Sequence, residues 1–130
     1  MADLRFEGKN NQKKGVSIFS SEVITTSATM NDTLFTLPAN SLVTAVYAVV
    51  TTGSGSATNT VDVKVGTTVV ANEVIVGVVG VASGTVAKTF FPTGGSVTVV
   101  AGADAPGTTG KVKIVIVYIE TELTTGTYTD

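Results

Sequence analysis

The sequence predicts an all-β fold: an antiparallel β-sandwich or barrel of about eight strands behind an extended N-terminal arm. Three observations point there. Valine and threonine occur 23 times each, so 46 of 130 residues are of two types that lose rotamer freedom in a helix and suit a pleated sheet. Fourteen glycines fall mostly between the apolar runs, where they supply turns. No segment of useful length repeats its apolar residues with the helical period. The chain length fits one domain able to bury about two-thirds of its unfolded surface.

The first 14 residues stand apart. Arg5, Lys9, Lys13 and Lys14 are half of all the positive charges and only Asp3 and Glu7 oppose them, which leaves this segment at +2 and the remainder at −4. Residues 1–14 are therefore read as an arm and 15–130 as the sandwich domain. Such a segment is either a solvated terminus or an arm that reaches onto an oppositely charged neighbour, with Leu4 and Phe6 as apolar anchors. Four dispersed cations do not make the dense basic face that nucleic acid draws, so no nucleic-acid partner is expected. The opening "MADLRFEGKNNQKKG" lacks the apolar core and cleavage pattern of a secretory signal.

Beyond Gly15 the strands are expected at 16–26, 33–37, 42–52, 60–66, 68–76, 85–91, 96–101 and 111–120. Turn chemistry separates most of them. "LPANS" carries Pro38 and Asn40, "TGSGSATN" is a polar glycine loop, "PTGG" closes a hairpin, and "AGADAPGTTG" is a longer loop. "VDVKV" alternates strictly, so Asp62 and Lys64 should look at water. "VIVGVVGV" holds Gly77 and Gly80 inside an apolar run. That pattern fits a bulge or close backbone approach at a symmetry axis, or a strand bending between two sheets. The run is far shorter than the roughly 20 residues a membrane helix needs, so no membrane partner is expected.

Two strands break the alternation. In "KVKIVIVYIE", Val112, Ile114, Ile116 and Tyr118 line one face while Val115, Val117 and Ile119 line the other. "LVTAVYAVVTT" (42–52) is apolar on both sides as well. Burying a valine or isoleucine contributes roughly 1.5–3 kcal/mol, so half a dozen on a second face represent on the order of 10 kcal/mol. Soluble monomers avoid leaving such a patch in water. The cover is either the chain's own N-terminal segment or 101–110 loop, or other subunits. The short, polar character of those segments favours subunits.

Catalytic chemistry is scarce. With no histidine and no cysteine the chain has no Ser-His-Asp or Cys-His triad, no thiolate zinc site and no disulfide. The absence of cysteine fits a reducing cytoplasm at the time of folding. Glu120 and Glu122 read as two solvated acids, Asp104 alone does not make a calcium site, and "TGSGSATN" lacks the ending of a phosphate loop. No enzyme activity, cofactor or metal is expected. Glycan binding would want exposed aromatic platforms, and the chain has no tryptophan. Phe90 and Phe91 point to opposite faces, which leaves one of them exposed.

"LFTLPANSLVTAVYAVVTT" (34–52), the alternating strands after it and the closing "GTTGKVKIVIVYIETE" (107–122) resemble the small structural proteins of tailed bacteriophages. Among these the chain is most similar to head decoration, or cement, proteins. The resemblance implies a compact sandwich or jelly roll, commonly a trimer, seated on the outer surface of the capsid where capsomers meet, with an arm over the major capsid protein. On that reading Leu4, Arg5, Phe6, Lys9, Lys13 and Lys14 contact the capsid, and Val43, Tyr47, Val49, Val115, Val117 and Ile119 form the subunit interface. A β-sandwich adhesion or glycan-binding module and a tail or fibre-tip component are the rival readings.

Overall fold

The computed structural model describes residues 16–121. Its strands are β1 (Val16–Ser20), β2 (Ile24–Thr25), β3 (Asn31–Leu37), β4 (Ser41–Thr52), β5 (Thr60–Val65) and β6 (Thr68–Ile75). There follow β7 (Gly80–Ala82), β8 (Thr85–Val86), β9 (Thr89–Phe91), β10 (Gly95–Ala101) and β11 (Lys111–Glu120). They form two antiparallel sheets, as the valine and threonine content predicts. The first runs β1-β11-β4-β7, with β2 also beside β11 and β9 also beside β4; the second runs β3-β10-β5-β6-β8.

The core lies between the sheets. Val46, Ala48 and Val50 of β4 and Val112, Ile114 and Ile116 of β11 point inward from the first sheet. Val61, Val63 and Val65 of β5, Val70 and Val74 of β6, and Val97 and Val99 of β10 meet them from the second. The strict alternation in "VDVKV" works as expected, with its three valines buried and Asp62 and Lys64 partly exposed.

Two expected strands are divided and a further short one, β7, is added, which accounts for eleven strands in place of about eight. The segment 16–26 divides into β1 and β2 because Ser21 substitutes its side chain for regular pairing. Its N–H donates to the Ile114 carbonyl at 2.9 Å, and its Oγ accepts the Ile114 N–H at 2.9 Å. The segment 85–91 divides because β8 pairs with β6 in the second sheet whereas β9 pairs with β4 in the first. The run "VIVGVVGV" leaves β6 in the second sheet and returns as β7 in the first, so it is a strand that passes between sheets. Gly77 is required at the crossing: a Cβ there would lie 1.7 Å from the Ser56 carbonyl oxygen. The chain thus laces one side of the sandwich shut. The other side is closed by aromatic rings, Phe19 of β1 stacked on Phe35 of β3 at 4.0 Å, with Tyr118 of β11 at 5.9 Å from Phe35.

Polar side chains hold the loops at one end. The buried Asn59 accepts from Ser54 Oγ at 2.9 Å and from the Ser56 N–H at 3.0 Å through Oδ1, and donates through Nδ2 to the Ala105 carbonyl at 3.1 Å. Asp104 takes bonds from Thr58 Oγ1 and from Asn59, so its carboxylate ties the 101–110 loop down. Glu73 is a second clip. Opposite Asp62 the pairing of β5 with β6 slips, and Glu73 adopts a left-handed φ of 57°. Its N–H donates to Asp62 Oδ1 at 2.8 Å, while its carboxylate accepts from Thr60 Oγ1 at 2.7 Å and from the Ala103 N–H at 3.2 Å.

Gly77→Ala is expected to lower unfolding stability by ~3 kcal/mol or more, since backbone must move to admit the methyl group. Glu73→Ala, which removes the clip between β5, β6 and the loop, is expected to cost about 1–3 kcal/mol. Urea denaturation followed by circular dichroism measures both.

Candidate functional site: the outer face of the first sheet

In an antiparallel sheet, directly paired residues point to the same side, so the register defines what each outer face presents. On the first sheet, Val16, Ile119, Leu42 and Phe90 form one row across β1, β11, β4 and β9. Ile18, Val117 and Ala45 form the next row, and Ser20, Val115 and Tyr47 a third. Lys113, Val49 and Val81 form a fourth, with β7 at its end, and a polar row of Thr25, Lys111 and Thr52 follows it. The first three rows are apolar apart from Ser20 and the Tyr47 hydroxyl, and the charges, Lys113 and Lys111, stand in the last two.

The rim of this face is open among the described residues. Val16 is 61 % exposed, Ile18 66 %, Phe90 45 % and Val81 70 %, with Tyr47 at 39 % in the middle. Leu42, Ala45, Val49, Val115, Val117 and Ile119 are half-buried, screened by one another and by flanking strands. The second sheet is unlike it. Its outer rows read Thr33, Thr98, Lys64 and Val69, then Asn31, Val100 and Asp62, then Thr36 and Ser96. That face is made for water.

Five of the six residues expected at a subunit interface lie together on the apolar face: Tyr47, Val49, Val115, Val117 and Ile119. Val43 does not. It is fully buried in the core, and the cause is a bulge in β4. Tyr118 pairs with Val43 and Val117 with Ala45, so Thr44 is the extra residue; its Oγ1 donates to the Val117 carbonyl at 3.2 Å. One inserted residue reverses the inside–outside phase, so Ser41 and Val43 point in before it and Val46, Ala48 and Val50 after it. The expected capsid contacts Leu4, Arg5, Phe6, Lys9, Lys13 and Lys14 lie outside the described residues.

The structure adds Val16, Ile18, Leu42, Ala45, Val81 and Phe90 to the face. The alternation in "VSIFS" carries the signal for Val16 and Ile18. Val81 has no such signal, because its sheet is decided by the crossing at Gly77. Of the adjacent phenylalanines, Phe90 is exposed and Phe91 packs against the core.

The rest of the described surface offers little chemistry. An open groove of about 600 Å³ between the β1–β2 segment and β3 is lined by Phe19–Thr25 and 32–34, with Glu22 and Asp32 its ionisable groups among the described residues. Among the described residues no three His, Cys, Asp or Glu side chains are grouped to hold a metal ion. No helix of these residues is long and apolar enough to cross a membrane.

No protein-family model matches the sequence, and no curated protein matches it. A solved chain from the cyanophage Pam1 capsid asymmetric unit superposes with a TM-score of 0.55, covering 92 % of this chain and 91 % of that one at 16 % identity. At that identity the likeness is one of fold: an all-β two-sheet architecture shared along nearly the whole of both chains.

The inner residues of β4 and the outer rim should respond differently to truncation. Val46→Ala is expected to cost about 2 kcal/mol, from lost burial and a residual cavity. Val81→Ser on the open rim should stay within about 0.5 kcal/mol of the parent. Chemical denaturation at a protein concentration that keeps the oligomeric state constant measures both.

Proposed function

We propose that this chain is a non-enzymatic structural protein of a viral capsid, a decoration or cement protein that binds the outer head surface of a tailed phage as a homo-oligomer and bridges capsomers. The observation that carries the proposal is the apolar outer face of the first sheet, set against the polar outer face of the second. A sandwich that builds one water-facing side and one dry side is made to be covered. The fold likeness to a chain of a cyanophage capsid supports the setting, and the resemblance of the sequence to cement proteins supports the role and a trimer.

On this reading Tyr47, Val49, Val115, Val117 and Ile119 contribute to subunit or capsid contact, and burial of their face supplies most of the attachment energy. The basic arm, with Leu4, Arg5, Phe6, Lys9, Lys13 and Lys14, reaches onto the major capsid protein. Its four cations and two apolar side chains suit an acidic surface with pockets for Leu4 and Phe6. Attachment would then raise the resistance of the shell to internal pressure, because each bound oligomer spans a seam between capsomers.

The test uses purified heads of the phage that encodes this chain, stripped of decoration. The full chain should co-sediment with them, and deletion of residues 1–14 should abolish binding while leaving the urea midpoint unchanged. The variant Tyr47→Lys/Val117→Lys should lose binding, oligomerisation or both. A full chain that never sediments with heads and is missing from purified virions would sink the capsid reading; undiminished binding by the truncated chain would remove the arm from it.

A further inference from the structure

We infer that the outer edge of β1, which no described strand pairs, is a two-fold contact at which a second copy of this chain adds its own β1 antiparallel and centred on Ile18. The inference starts from the sheet edges, since an edge strand presents unpaired N–H and C=O groups to any strand that fits. Most edges here are blunted. At the laced side β7, β8 and β9 have only two or three residues each, and Pro92 follows β9. In the second sheet β3 carries Asp32 and a bulge, where the register with β10 slips at Leu34, and Pro38 follows it. β1 has none of these devices. "VSIFS" contains no charge, proline or glycine, and it pairs with β11 without a slip, from Val16 opposite Ile119 to Ser20 opposite Val115.

The occupant follows from the fit of this strand to itself. A two-fold axis at Ile18 is the one register that pairs every residue of β1 with a residue of the second copy's β1. Val16 then faces Ser20 of the partner subunit, and Ile18 faces Ile18 of the partner subunit. The apolar row of Ala45, Val117 and Ile18 continues unbroken into the same row of the second copy. The contact uses an edge and leaves the apolar face open, so it stands whether or not the capsid reading does.

The absence of cysteine makes the test clean. Facing residues in an antiparallel pair have Cα atoms roughly 4.5–5.5 Å apart, within disulfide range. Full-length Ile18→Cys, oxidised mildly and run on a non-reducing gel, should form a covalent dimer at least tenfold faster than Val16→Cys or Val81→Cys. Val16 and its counterpart would lie ~13 Å apart along the strands, and Val81 sits at the opposite edge. Ile18→Lys should halve the mass of the wild-type assembly in light scattering, with an unchanged circular dichroism spectrum. Cross-linking of Ile18→Cys no faster than Val81→Cys overturns the inference. So does cross-linking that appears only after residues 1–13 are deleted, because the chain's own N-terminal segment would then be the occupant.

Discussion

A two-sheet sandwich has one interior and two outer faces, and the pleat assigns side chains to them alternately. β4 and β11 lie next to each other inside the first sheet and carry apolar side chains on both sides. Only one of those sides can face the second sheet. The character of the molecule follows from that surplus: a core closed by Val46, Val50, Ile114 and Ile116, and an outer surface of Tyr47, Val115, Val117 and Ile119 that no described strand covers. The second sheet has no such surplus, because threonine, serine, lysine and aspartate occupy most of its outer positions.

Several polar groups are employed in closing the fold. Asn59, Asp104 and Glu73 direct their hydrogen bonds to neighbouring loops, and Ser21 and Thr44 direct theirs to interruptions of the first sheet. Asn59 and Ser21 are buried, and buried polar groups satisfied in this way specify one arrangement of loops and strands.

The two proposed contacts differ in character. The broad apolar face suits burial against another surface, where the stabilisation scales with area. The β1 edge suits addition of a strand, where backbone pairing sets direction and register. An edge contact and a face contact can operate together in one assembly, since neither occludes the other's hydrogen bonds or apolar rows.

Residue type and a period of two are visible in a linear string. They sufficed for the β class, the position of most strands, the water-facing alternation of "VDVKV" and the excess of apolar residues in 42–52 and 111–120. Pairing is not visible there, and pairing placed the rest. Val43 went inside because Thr44 is an unpaired residue, and a bulge is defined by the partner strand. Val81 reached the first sheet because Gly77 lets the backbone pass against Ser56. The division of 16–26 and 85–91 likewise depends on which neighbour each half meets, Ile114 through Ser21 in one case and two different sheets in the other. Each of these partners lies far along the chain, so no local pattern of residues encodes the choice.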